Sequence, residues 1–284
     1  MQDFDGRVAV VTGGASGIGF ALGSAFAAAG MKVVLGDIEA PALADAVATL
    51  EATGAEVIGV RTDVSDAAQV QALADAAVER FGAIHIACNN AGVGAGGLSW
   101  EAPLDTWEWV FGVNLWGVIH GIRAFVPVIL KQSEGHVVNT ASVAGLVAGP
   151  FMAPYNASKH AVVALTETLH HELAMMAPHV HASVLCPGWV QTRIADSARN
   201  RPAGESTAPE PGTGPAVGFA QLLQPLLDNG MPPGDVAAKV LAAIRAEQFW
   251  VLPHDDAEEF WVEFVNKRAR SLTERTNPTI RSPL

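Results

Sequence analysis

Short runs of β-branched and aliphatic residues recur along this chain and alternate with longer, Ala-rich stretches whose apolar positions follow a helical period. The runs Arg7 to Thr12, Lys32 to Gly36, Glu56 to Arg61, Ile84 to Cys88, His136 to Thr140, His181 to Cys186 and Phe249 to Leu252 predict seven strands. Several are apolar at successive positions, the pattern of parallel strands covered on both faces. Strand and helix in alternation predict an α/β fold, a Rossmann-type doubly wound parallel seven-stranded sheet with helices on both faces. The alternation breaks between Asn200 and Gly218, a stretch rich in Pro and Gly, and resumes at Pro233. The break therefore reads as a mobile loop within one domain. The expected organisation is a single domain over residues 1–284, with a lid at about 189–232 and a tail at about 255–284 carrying a helical stretch at about Ala257 to Leu272.

With 284 residues, half of them hydrophobic, the chain can build one sizeable core. A formal charge of −12 with no basic stripe argues against nucleic acid or an anionic membrane as partner. No apolar run approaches the roughly 18 residues that would cross a bilayer, and Met1 to Val10 leads straight into the first strand, so a soluble cytoplasmic protein is expected. Cys88 and Cys186 lie far apart, without metal-ligand spacing.

Candidate chemistry starts at Thr12 to Gly19, TGGASGIG, directly after the first strand and opening a helix. Gly13 and Gly17 permit a tight turn, Gly19 lets helix and strand approach, and free N–H groups at the helix start, from Ser16 to Ile18, attract a pyrophosphate. Asp37 ends the second strand 18 positions after Gly19, where a carboxylate can accept ribose hydroxyls and would repel a 2′-phosphate. Ala15, Ser16, Ile38 and Glu39 supply no Arg or Lys to offset that phosphate, so NAD is favoured over NADP. Asp63 can reach an adenine amino group, although Asp63 to Ser65 also reads as an ordinary helix cap.

Tyr155 is the only tyrosine, and Lys159 lies four residues later in a helix expected to start near Pro154. At i and i+4 they share a face. An ammonium there favours the phenolate and lowers a pKa of about 10, making the phenol an acid or base near neutral pH. By itself Y-x-x-x-K is a common surface pair.

In company with NNAG at Asn89 to Gly92, the dipeptide Asp63-Val64, VNLWG around Asn114, TASVAG around Ser142, YNASK and PGWVQT at Pro187 to Thr192, it resembles the short-chain dehydrogenase/reductase family in its common single-domain form. The resemblance covers Phe4 to about Pro253. It implies a catalytic tetrad of Asn114, Ser142, Tyr155 and Lys159. Ser142 would hydrogen-bond the reacting oxygen, and Tyr155 would exchange a proton with it. Lys159 would also hold the nicotinamide ribose, and Asn114 would support a water-linked proton path. Asp63, Val64, Asn90, Ala91 and Gly92 would line the cofactor trough, with Pro187, Gly188, Val190 and Thr192 at the nicotinamide end. Ala141 departs from the family in replacing the first of two serines common in that strand. The segment after Gln191 and the FWVLPH motif resemble a branch acting on bulky aryl or alicyclic alcohols.

Phe151, Met152 and Trp189 flank these motifs and, with Gly94 and Ala95, predict an apolar substrate pocket beside Ser142 and Tyr155. His170, His171, His179 and His181 lack the partners and spacing of a metal site, so no metal is expected. Trp100, Trp107, Trp109, Phe111 and Trp116 read as core or subunit-contact residues. The implied function is hydride transfer between NAD(H) and a small hydrophobic alcohol or ketone. An epimerase or dehydratase on the same site and a non-catalytic NAD-binding regulator are the alternatives, and a homotetramer, or else a homodimer, is the assembly the resemblance implies.

Overall fold

The computed structural model describes residues 1–202, 224–254 and 258–278. Seven parallel strands form one sheet: β1 (Val8–Thr12), β2 (Lys32–Asp37), β3 (Val57–Arg61), β4 (Ile86–Asn89), β5 (Gly135–Thr140), β6 (Val180–Leu185) and β7 (Trp250–Val251). Their order is β3-β2-β1-β4-β5-β6-β7, with Val10 in register with Val34 on one side and Ala87 on the other. The predicted strands are all present, shifted by a residue or two at their ends. The expected lid and Pro/Gly-rich loop lie partly outside the described residues, which resume at Gln224.

Because β1 is buried along its whole length, its side chains feed two cores. Ala9 and Val11 pack with Leu22 and Phe26 of α1 (Gly17–Ala28), with Leu43 and Leu50 of α2 (Ala40–Glu51), and with Val236 and Val240 of α7 (Pro233–Ala246). Val8 and Val10 point the other way, into a core with Val70 and Leu73 of α3 (Ala67–Phe81), Phe125 of α5 (Gly117–Ile129) and Leu169 of α6 (Ala153–Met176). At about 25 cal/mol per Å² of apolar surface removed from water, this two-sided burial is the main stabilising term. The helix α8 (Glu258–Glu274) is attached outside these cores by Arg268, whose Nη1 donates to the Leu146 carbonyl at 2.8 Å.

VNLWG forms a helical but not α-helical turn: α4 (Leu104–Phe111) runs into α5 through a π-helical turn at Gly112–Trp116 that contains Asn114. The combined helix Leu104–Ile129 is also long and apolar enough to cross a membrane by length and composition. The earlier expectation considered uninterrupted apolar runs, whereas this helix reaches the threshold on mean hydropathy across scattered polar positions. It packs against α3, β4 and β5, which makes it a core helix. Of the aromatic residues on it, Trp109 is buried whereas Trp116 is exposed.

Some polar groups inside the sheet are paired across strands or to adjoining segments, whereas Asn89 Oδ1 and His136 Nδ1 have no hydrogen-bond partner. Asn89 donates from Nδ2 to Asn139 Oδ1 at 2.8 Å, and Asn139 donates to Thr166 Oγ1 on α6 at 3.1 Å. His136 is fully buried on β5. Ser183 donates its hydroxyl to the Gln248 carbonyl at 2.6 Å, so it accepts from His136 Nε2 at 2.7 Å, and the ring is a neutral donor there. Burial, chiefly, pushes the imidazole down to about 3 from an ordinary 6.5. An unfolded chain binds a proton at His136 below about pH 6.5 that the folded chain refuses until about 3. The corresponding stability is present above 6.5 and is lost at about 1.4 kcal/mol per pH unit on going down through that window. His136→Leu is expected to reduce the slope of unfolding free energy against pH, measured by urea titration between about pH 6 and 4, by about one proton.

Candidate functional site

The chain turns back on itself between β1 and β4, whose neighbours on the sheet lead off in opposite directions. A crevice opens there at the carboxyl ends of the strands. On one wall, Gly13 and Gly17 adopt φ of 65° and 52°, values that side chains disfavour. A Cβ on Gly19 would collide with the Gly13 carbonyl, so the turn folds back against α1 only with glycine at that place. Ser16 is the N-cap of α1, yet its side chain makes no capping hydrogen bond. The first N–H groups of α1 thus have no side-chain acceptor from their own cap, which suits a phosphate.

The other wall is the loop after β4. Thr12 Oγ1 accepts the N–H groups of Asn90 and Ala91 at 2.9 and 3.1 Å, while Asn90 Nδ2 donates to the Thr12 carbonyl at 3.1 Å. These bonds hold NNAG against the glycine turn. Asn114 continues the support: its Oδ1 accepts from Val93 N at 2.8 Å, and its Nδ2 lies 3.0 Å from the Val93 carbonyl and 3.2 Å from Ser158 Oγ. Its side chain is therefore committed to protein partners.

Asp37 closes the ribose end. Its two carboxylate oxygens each accept a backbone N–H at 3.0 Å, from Ala15 in the glycine turn and from Glu39. Each oxygen keeps lone-pair capacity for a diol. Ile38 is half-buried beside it. Asp63 is spent more locally, since its Oδ1 accepts from both N and Oγ of Ser65 at 2.9 and 2.7 Å. The cap of α3 is Asp66, and Val64 is buried against Gly117 of the long helix.

Ser142, Tyr155 and Lys159 meet across the crevice floor. Ser142 is the N-cap of a short 3-10 turn (Val143–Gly145) just past β5. Its Oγ accepts from Ala144 N at 3.1 Å and lies 3.3 Å from the Pro187 carbonyl, and its hydroxyl favours the ionised form of the Tyr155 phenol. Lys159, buried one turn further along α6, donates from Nζ to the Thr140 carbonyl at 2.9 Å and sits 5.7 Å from the Tyr155 ring centre. A Cβ on Gly92 would meet Asn114 Oδ1 at 3.4 Å and Lys159 Nζ at 3.5 Å, so the ammonium reaches the NNAG loop.

The electrostatics correct the expected direction for Tyr155. Burial raises its phenol above the ordinary 10, partly opposed by the Ser142 hydroxyl, with Cys186 adding to the rise. Desolvation thus outweighs the ammonium, which is turned toward Thr140. Lys159 is itself lowered by burial to about 8 and stays largely cationic at neutral pH. The resting site therefore holds a protonated phenol beside a cation.

A strap closes the crevice from above. Trp189 and Met231 exchange a hydrogen bond at 2.9 Å, and Gln191 N donates to the Met231 carbonyl at 3.0 Å, fastening the strap at its base. Val190 is buried at this bridge, in the core shared with α7. The Thr192 methyl lies about 3.1 Å from the position a Cβ on Gly17 would take. Gly94 N donates to Ser197 Oγ at 2.9 Å, and Ala95 packs beside Trp109 and Val110. Phe151 takes a φ of 65°, a left-handed conformation costing of order 1 kcal/mol or more. Its carbonyl accepts from Gly97 N at 2.7 Å, which also sets Met152 beside Gly97. Gly188 and Trp189 remain partly exposed at the mouth.

These contacts bring Gly13, Gly19, Asn90 to Gly92, Asn114 and Lys159 together at this crevice, with Thr192 against Gly17. Sequence reasoning missed Thr12, Thr140 and Ser158, which sit inside or next to the quoted motifs and were legible as potential hydroxyl or carbonyl partners. It also missed Ser197 and Arg199, for which the sequence offers no signal. The neighbouring residues supply no cation at the ribose end, but Arg199 arrives from 160 positions away and binds Glu39. The donor set fits a dinucleotide, with an uncapped helix start, a turn that admits no Cβ and a carboxylate at the strand end.

Comparison with known proteins agrees. Residues 7–203 match the short chain dehydrogenase family. The 1-deoxy-11-beta-hydroxypentalenate dehydrogenase of Streptomyces avermitilis is 38% identical over 96% of both chains. The C alpha-dehydrogenase of a Sphingobium species is 32% identical over 91% of this chain and 84% of that one. A short chain dehydrogenase/reductase from Burkholderia phymatum, solved in complex with NAD, is 49% identical over the full length of both chains, with a TM-score of 0.95. Gly19→Ala is expected to weaken dinucleotide binding by at least about tenfold, since the glycine turn must open to admit the methyl. Fluorescence titration with NADH checks this, with far-UV circular dichroism unchanged.

Proposed function

This chain belongs to the short-chain dehydrogenase/reductase family, and from that premise we propose that it oxidises a bulky, hydrophobic secondary alcohol with NAD, or reduces the corresponding ketone with NADH. The observation that carries the reading is the meeting of Ser142, Tyr155 and Lys159 on the crevice floor, beside the uncapped start of α1. The turn Gly13 to Gly19 would hold the pyrophosphate, Asp37 the adenosine ribose, Asn90 to Gly92 the middle of the trough, and Pro187 to Thr192 the carboxamide. Bound there, the nicotinamide supplies the carbon that gives or takes the hydride.

Ser142 Oγ and the Tyr155 phenol together hold the reacting oxygen. In reduction the phenol passes its proton to that oxygen, and the protonated state favoured by burial is the one this step needs. In oxidation the phenolate accepts the proton from the alcohol, and the Lys159 ammonium must offset the burial penalty. Lys159 also offers its remaining N–H donors to the nicotinamide ribose. Asn114 acts by fixing Val93 and hence the loop that lines the trough.

Phe151, Met152, Trp189 and Ala95 supply an apolar surround without a fixed charge, which favours a neutral, bulky substrate. The names of the Streptomyces and Sphingobium relatives, an alicyclic hydroxypentalenate dehydrogenase and a C alpha-dehydrogenase, agree with that class. The exposed Trp116 and Leu104 on the long helix suit subunit contact in a homotetramer.

Tyr155→Phe is expected to lower kcat on a panel of aryl and alicyclic secondary alcohols by about a thousandfold or more while NADH affinity changes little. Wild-type turnover in that variant would overturn the role given to Tyr155. The carboxylate at Asp37 predicts tighter binding of NADH than of NADPH in parallel fluorescence titrations, and Asp37→Ala is expected to narrow the difference.

A further inference from the structure

The strap crosses the crevice between the glycine turn and the ribose end. It is tied down at Thr192 against Gly17, at Ser197 against Gly94, and at Arg199 and Asn200 against Glu39. The last tie is the most polar. Arg199 donates to Glu39 Oε1 from Nε at 3.0 Å and from Nη2 at 2.7 Å, and Asn200 Nδ2 donates to the same oxygen at 2.9 Å. The third guanidinium nitrogen, Nη1, donates to the carbonyls of Asp196 at 2.7 Å and Arg193 at 3.2 Å. All three nitrogens are thus engaged, and both side chains are about three-quarters covered.

Glu39 is itself part of the ribose end. Its backbone N–H is bound by Asp37 Oδ1, while Asp37 Oδ2 binds Ala15 of the glycine turn. A guanidinium held by Glu39, two residues along the chain from that carboxylate, is the group that recognises a phosphate by paired hydrogen bonds in other settings. Here its donors are turned to Glu39 and to the strap's own backbone.

Resting on the dinucleotide reading of this crevice, we propose that Glu39 is a specificity-determining residue: by occupying Arg199 it withholds the cation that a 2′-phosphate would use, and by the same contact it fastens the strap across the bound NAD. Asp37 alone then does not set the choice. Removing Glu39 both deletes a negative charge and releases Arg199 toward the ribose end.

Three variants separate these effects, read as dissociation constants for NADH and NADPH by fluorescence titration and as NADH release rates by stopped flow, with thermal melting to confirm folding. In Glu39→Ala the ratio of NADPH to NADH dissociation constants is expected to fall about tenfold or more. In Glu39→Ala/Arg199→Ala most of that fall is expected to disappear. In Arg199→Ala the ratio is expected to hold or rise while NADH release accelerates severalfold, because the strap loses its tie. An unchanged ratio in Glu39→Ala overturns the proposal. So does an equal fall in the double variant, which would assign the effect to the lost carboxylate charge instead of Arg199. Failure of the wild-type protein to bind either nucleotide would instead refute the dinucleotide reading on which the proposal rests.

Discussion

The seam between β1 and β4 is the constraint from which the rest of the site follows. These strands pair in parallel, yet their connections leave toward opposite edges of the sheet, so the loops after them diverge and leave a crevice. Thr12 ties the two walls together through both its hydroxyl and its carbonyl. Its Oγ1 accepts two backbone N–H groups from the NNAG loop. Asn114, placed inward by the π-turn in the long helix, then fixes the continuation of that loop through Val93. Such π-turns inside α-helices commonly mark functional positions.

Burial and charge oppose each other on the crevice floor. A phenol and an ammonium share one face of α6, but both are deeply covered, and desolvation disfavours the charged form of each. The outcome is a high phenol beside a lysine brought down to about 8. A ligand carrying positive charge into the crevice would shift that balance toward the phenolate. Under the proposed function, the proton chemistry of the site would therefore be tied to cofactor occupancy.

The strap adds a second coupling, along the length of the crevice. It begins at Trp189 beside the reacting end and reaches Glu39 at the ribose end within a dozen residues. Arg201 extends the path by donating to Asp105 and Thr106 on α4. One covering element thus spans the crevice from Trp189 to Glu39.

By itself the sequence determined the seven strands and the doubly wound architecture, and its glycine turn, NNAG loop, Ser142, Tyr155 and Lys159 meet at the crevice. It could do so because strand and helix periodicities are local, and because the glycine turn, Ser142, Tyr155 and Lys159 act through short and fixed spacings. It misjudged the direction of the Tyr155 shift, since burial is not encoded in an i to i+4 spacing. It gave no signal for the π-helical turn at Asn114 or for the pairing of Glu39 with Arg199. Those points were decided only by tertiary structure, because Arg199 and Glu39 lie 160 positions apart and meet solely through the return of the strap over the sheet. Local spacing specifies which groups are present on a face, whereas desolvation and long-range pairing depend on what the rest of the chain lays over them.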